Sequence, residues 1–177
     1  MNIYASFWQR FVAMWVDLFV LLPLIAGAAF LESRSKGIAF ALVIPMSLLF
    51  AAYTIYLHAR SGQTIGKRAM RIRVVRTAGE RIGWREAWLR SSVDLFFAVA
   101  TIIGSFIALA VIPDSEYYGV GWPLRSSNLA AHQPPWIAWT GTALQIWVWS
   151  EVLVMLFNKR RRALHDFIAG TVVISEE

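Results

Sequence analysis

The sequence contains no cysteine. Disulfides, thiolate metal sites and cysteine nucleophiles are therefore excluded. Charge is scarce as well: 16% of the residues are charged and 58% are hydrophobic, against roughly 25% and 45–50% in an ordinary soluble domain. Acidic residues are the rarer sign, 11 against 17 Lys and Arg, for a net charge of +6. Such a balance can indicate nucleic acid, but no recognition motif accompanies it and the basic residues flank apolar runs. No nucleic-acid partner is expected. Gly62-Gln63-Thr64-Ile65-Gly66-Lys67-Arg68 superficially resembles a phosphate-binding loop. It is one residue short, and Arg68 stands where Ser or Thr must meet magnesium. His58 reads as an interfacial residue, His132 as a solvated one, and His165-Asp166 lacks a third catalytic partner. No nucleophile, metal cluster or cofactor motif emerges, so neither an enzyme nor a cofactor is expected.

What the chain does have is length of apolar run. About 20 helical residues cross a hydrocarbon core some 30 Å thick, and four runs qualify: 11–31, 38–56, 89–112 and 136–157. The fold class read from them is an all-α membrane protein, a four-span helix bundle in one domain covering 1–177. Ala26-Gly27-Ala28 has the small-residue pattern of a leader cleavage site. The run is long for a leader, however, and carries Arg10 and Asp17, so it is read as a retained span.

Orientation follows from Lys and Arg in short loops. The loop 60–88 holds Arg60, Lys67, Arg68, Arg71, Arg73, Arg76, Arg81 and Arg85, and the tail 158–177 opens with Lys159, Arg160, Arg161 and Arg162. The opposite side offers Arg34, Lys36 and Arg125. This places both termini and the basic loop in the cytoplasm. There Arg68, Arg71, Arg73 and Lys159 to Arg162 would face anionic lipid headgroups. Trp8, Trp84, Trp88, Trp122, Trp136 and Trp139 fall near the ends of the runs, where aromatic rings favour the interface. Ile72 to Val75 and Ile82 to Trp84, joined by a turn at Gly79, read as a hairpin. Thr171 to Ile174 reads as a third strand completing a small cytoplasmic β element. The outer loop 113–135, rich in Pro, Gly, Ser and Asn, reads as irregular.

Three carboxylates interrupt the apolar runs: Asp17, Asp94 and Glu151. At that depth an acid costs roughly 2.5–3.5 kcal/mol even on a lenient scale. Counted from Arg10, Arg90 and Lys159, all three lie about 5–12 Å in from the cytoplasmic side. If their helices are neighbours, the acids share protons, because like charges in low dielectric cannot all ionise. That is the logic of a cation or proton site. The alternative is structural: Arg90 pairs with Asp94 and Arg10 with Asp17, each on one helix face. The sequence leaves both open.

Three blocks carry a family resemblance: Phe7-Trp8-Gln9-Arg10-Phe11 through Asp17; Gly62 to Arg68 followed by Ile72-Arg73-Val74-Val75; and Arg161-Arg162-Ala163-Leu164-His165-Asp166-Phe167-Ile168-Ala169-Gly170-Thr171. Together they frame most of the chain. In this order they resemble the bacterial RDD family of small integral membrane proteins, named for one arginine and two aspartates. The resemblance implies Arg10, Asp17 and Asp166 as the signature residues and the bacterial plasma membrane as the location. Some members are monovalent cation/proton antiporters, which implies Na+, K+ or Li+ and H+ as candidate substrates. The family pattern commonly has fewer spans and shorter outer loops, so the resemblance implies that 113–135 is an insertion of this branch. A short segment from Arg162 to Ala169, lying in the interface, would bring Asp166 beneath the first helix, with Arg10 shared between Asp17 and Asp166.

The expected function is monovalent cation/proton exchange through Asp17 with Asp94 or Glu151, in a homo-oligomer because four spans are few to enclose a path. The alternative is a non-transporting accessory protein whose basic face docks a partner or anionic lipid.

Overall fold

The computed structural model describes residues 4–176; the chain ends themselves, named in the orientation argument, lie outside the described residues. Four helices are long and apolar enough to cross a membrane: α1 (Phe7–Glu32), α2 (Lys36–Ser61), α5 (Ser92–Val111) and α8 (Trp136–Phe157). Between them lie α3 (Ile65–Ala69), β1 (Ile72–Arg76), α4 (Trp84–Arg90), α6 (Asp114–Tyr117) and α7 (Trp122–Ala131), and after them α9 (Leu164–Ile168) and β2 (Thr171–Ser175). The chain divides into two compact units.

The first unit holds α1 up to Leu21, the segment Ala51–Asp94, and the chain from Gln145 onward. Helix α1 starts on a reciprocal cap. Gln9 N–H donates to Ser6 Oγ at 3.2 Å, and Ser6 N–H donates to Gln9 Oε1 at 2.8 Å, which satisfies two donors the helix cannot. Helix α2 stops where Gly62 adopts φ 71° and its N–H bonds the His58 carbonyl at 2.8 Å, a left-handed termination that glycine makes without strain. Thr64 then caps α3, its hydroxyl accepting from Lys67 N–H.

Strands β1 and β2 pair antiparallel, with Val74 opposite Val173. Ile72, Val74 and Val173 bury with Ala5, Ala13 and Ile82, and Ala5 N–H donates to the Val173 carbonyl at 3.0 Å. The expected three-stranded element is thus a two-stranded sheet. The loop hairpin contributes one isolated bridge, Val75 with Arg81. Pairing stops there because Gly83 becomes the cap of α4, its N–H donating to Glu86 Oε2 at 2.8 Å. A break at Ser91 separates α4 from α5. The third long helix therefore starts at Ser92, three residues later than its apolar run, and Arg90 belongs to the short helix.

The second unit holds the rest of α1, α2 up to Phe50, α5 from Leu95, α6, α7 and α8 up to Leu144. Ala39, Val43, Leu109, Ile112 and Tyr117 form its core. Tyr117 is buried, and its hydroxyl donates to the Glu32 carbonyl at 2.6 Å. Lys36 Nζ reaches the Ile112 carbonyl and Asp114, each at 2.6 Å. The outer loop is not irregular: α6 follows the extended Pro113, and α7 follows the extended Gly121 with a proline in its first turn. Helices this short leave little periodicity to read.

Gly66 fixes how closely α3 approaches α1. A Cβ there would run into the Ala13 carbonyl and lie 2.9 Å from Asp17 Cγ. Gly66→Ala should therefore lower thermal stability by the roughly 1–3 kcal/mol of an overpacked core, or more because backbone must move. Gly27→Ala, with nothing within 4 Å, should leave the melting temperature unchanged or slightly raised. Scanning fluorimetry of the detergent-purified variants separates the two.

Candidate functional site

The first unit gathers most of the charged residues singled out in the sequence. Asp166 is fully buried. At the third position of α9 its Oδ2 accepts from Ala163 N–H at 3.0 Å and from Arg10 Nη1 at 2.9 Å. Its Oδ1 accepts from Arg90 Nη1 and, at 3.1 Å, from Thr171 Oγ1. Burial alone would raise this carboxyl's pKa. The charge of Arg90, followed by His165 and Arg10, outweighs burial and holds it well below the usual carboxylate range. Arg10 uses its second nitrogen on the Arg161 carbonyl at 2.6 Å, and Arg161 takes φ 50° there. Arg162 Nε donates to the Thr171 carbonyl and Nη2 to the Asp166 carbonyl, while its guanidinium stacks 4.0 Å over Phe167.

Asp17 is held differently. Its Oδ1 accepts from the Tyr53 hydroxyl and from Gly66 N–H, both at 2.6 Å. Its Oδ2 accepts from the Thr64 hydroxyl at 2.6 Å. All three donors are neutral, and the residue is buried. Arg10 is therefore not shared between Asp17 and Asp166: both of its terminal nitrogens are taken, by Asp166 and by the Arg161 carbonyl.

Glu151 Oε1 accepts from His165 N–H at 3.2 Å and lies 2.5 Å from His165 Nδ1. Asp94 is exposed and enters no hydrogen bond or ion pair among the described residues, though the charges of Glu151, His165 and Arg90 reach it. Its sequence neighbour Arg90 pairs with Asp166 instead. Asp94 and Glu151 lie within electrostatic reach of each other. The three acids thus have separate settings: Asp17 is bonded by groups of α2 and α3, Glu151 by α9, and Asp94 by none. Among the described residues no group of three or more His, Asp or Glu could hold a metal ion.

Sequence reasoning missed a pair. Lys67 Nζ lies 2.8 Å from His58 Nε2. His58 is 4% exposed, and its Nδ1 has no partner among the described residues. Lys67 is half-buried; desolvation of its ammonium, then the charge of Arg90, lowers its pKa to about 7. In the sequence Lys67 reads only as loop charge, although it sits inside the Gly62 to Arg68 block. Of the basic residues expected to face lipid, Arg68, Arg71, Lys159 and Arg160 are exposed. Arg73 and Arg162 are not free for that role: Arg73 pairs with Glu176 and donates to the Ser61 carbonyl, and Arg162 is bonded as described.

A model described as the RDD family matches residues 4–170. No curated protein and no solved structure matches the chain.

Asp166→Asn would leave the buried guanidinium of Arg90 and the half-buried one of Arg10 without their anion, and removing one partner of a buried pair costs about 3–5 kcal/mol. Because the folded pKa is depressed, the carboxylate's stabilisation is complete above its unfolded value of about 3.9 and fades as pH falls below it. The deficit of Asp166→Asn in thermal unfolding should be full at pH 7 and shrink on acidification. Arg10→Lys should also destabilise, since an ammonium cannot reproduce the fork onto Asp166 and the Arg161 carbonyl. Wild-type melting of that variant would show that the fork is dispensable.

Proposed function

We propose, since the chain belongs to the RDD family, that it is a bacterial inner-membrane protein exchanging monovalent cations for protons. The four long helices cross the bilayer, with both termini, the basic loop and the tail in the cytoplasm. The burial of their apolar windows supports a lipid surround: between 6 and 22% of each window is buried inside the protein. Side chains such as Phe19, Phe96, Ile146 and Phe157 face outward, which water would penalise and hydrocarbon would not.

The observation that carries the exchange reading is the setting of Asp17. A carboxylate buried among neutral donors is oriented but not neutralised. A proton or a small monovalent cation supplies the missing charge equally well, so the two compete for one site. Asp94 and Glu151, near each other and beside His165, provide the second titratable station. An oligomer would enclose the path between them.

A second reading rests on a different observation, the exposure of Arg68, Arg71, Lys159 and Arg160. Each cation near an anionic leaflet contributes about 1 kcal/mol. A non-transporting accessory protein would use that face to hold anionic headgroups or dock an acidic partner.

Proteoliposomes with an imposed pH gradient separate the readings. Sodium, potassium or lithium should collapse the gradient in wild type, while Asp17→Asn, still folded and inserted, should lose that flux. A silent wild type in correctly oriented vesicles would overturn exchange. Exchange that survives in Asp17→Asn would remove this carboxylate from the mechanism.

A further inference from the structure

Lys67 and His58 are unusual company for each other. A lysine ammonium ordinarily seeks water or a carboxylate, yet here Nζ meets an imidazole nitrogen at 2.8 Å. While Lys67 is an ammonium it can only donate, so His58 Nε2 accepts. The ring proton then lies on Nδ1, which is buried without a partner among the described residues. His58 is thereby held as a neutral acceptor by its surroundings. The pair ends α2 and follows the cap of α3, one residue from Gly66, whose N–H binds Asp17. The charged and titratable groups facing Lys67 come from every neighbouring element: Asp17 and Arg10 from α1, His58 from α2, Arg90 from α4 and Asp166 from α9. Arg10 and Arg90 are already engaged by Asp166. Asp17 is the carboxylate in this group that has no cation bonded to it.

We propose that Lys67, seated on His58, is the proton-carrying group of the exchanger, and that its proton is released when a monovalent cation neutralises Asp17. This rests on the exchange reading and names its second station differently, outside the acids. With Asp17 negative, Lys67 keeps its proton despite partial burial and the two arginines. A cation at Asp17 removes the one uncompensated attraction. The Nζ–H bond then breaks, the electron pair stays on nitrogen, and the proton passes to water. When the cation leaves, the amine takes a proton back, so one charge enters for each that departs. His58 accepts from the ammonium and, as long as its ring proton stays on Nδ1, also accepts from the amine and keeps it in place. The near-neutral pKa of Lys67, about 7, suits a group that must both take and give a proton at cellular pH.

The chain has three lysines, Lys36, Lys67 and Lys159, so a lysine-specific carbon-13 label at Cε gives a readable NMR titration of the whole protein in detergent. Lys36→Arg and Lys159→Arg assign the signals. One resonance should titrate near the lowered value of about 7, and saturating sodium, potassium or lithium should move that midpoint to lower pH in wild type but not in Asp17→Asn. A Lys67 midpoint at the ordinary value of about 10.4 would overturn the proposal. So would a low midpoint that no cation moves. In proteoliposomes, Lys67→Arg should lose cation-driven proton flux. Full, pH-dependent flux in Lys67→Arg would overturn this inference and leave exchange through Asp17 standing. A wild type with no flux would overturn exchange itself, and the proposed role of Lys67 with it.

Discussion

The first unit depends on one buried carboxylate. Asp166 has no solvent contact, and its two oxygens are filled by Arg10 from α1, Arg90 from α4, Thr171 at the start of β2 and the Ala163 backbone. Each partner belongs to a stretch far away in sequence, except the last two, which belong to its own turn and strand. Two guanidinium groups converging on one anion would repel each other in a low dielectric without it. The desolvation of all three charges is offset by their mutual attraction and by the hydrogen bonds onto both carboxylate oxygens, while Arg10 Nε and Arg90 Nε have no partner among the described residues. From this point the neighbouring geometry follows. Thr171 stands opposite Arg76 where β2 meets β1, and β2 in turn receives the Ala5 backbone just ahead of α1. The N-terminal segment, the basic loop and the tail are thereby tied into one structure.

The two signature aspartates illustrate how the same side chain acquires different chemistry. Asp166 is overcompensated by cations and fixed in its ionised form, which suits a strut. Asp17 is oriented by two hydroxyls and one amide, none of which cancels its charge. A group in that state still responds to whatever positive charge arrives. The amide is Gly66, so the loop that carries Lys67 is anchored by the carboxylate itself. Structure and proposed chemistry share one contact there, which is why the size of residue 66 matters to both.

Much of this was legible before any coordinates. Apolar run length located the four long helices to within a few residues at most ends, because hydrophobic patterning is local. The strands at Ile72 and Thr171 were visible as β-branched runs beside glycine. The closeness of Arg10 and Asp166 followed from the family resemblance. Arg90 did not. The apolar run from Leu89 reads as continuous, and helical spacing then offers Arg90 to Asp94 on the same face as one of two alternatives. The Ser91-Ser92 break frees it to turn toward α9, and Ser91 through Asp94 has the spacing of a helix-start signal that would have placed the boundary. The same spacing offers Arg10 to Asp17, since helical spacing proposes partners along one helix and is blind to a loop folding back. The Lys67–His58 pair lies beyond spacing arguments altogether. It exists only because Gly62 turns the chain and α3 docks where a larger residue than glycine could not.

The measurement that tests the central claim most directly is a double-mutant cycle on the thermal stability of Arg10→Gln and Asp166→Asn in the purified protein. If the two side chains act as one buried unit, the double variant should be scarcely less stable than Asp166→Asn alone, with a coupling toward the upper part of the 0.5–3 kcal/mol range seen for contacting residues. Losses that simply add would show that Arg10 and Asp166 stabilise the fold independently, and would contradict the account of a shared clamp.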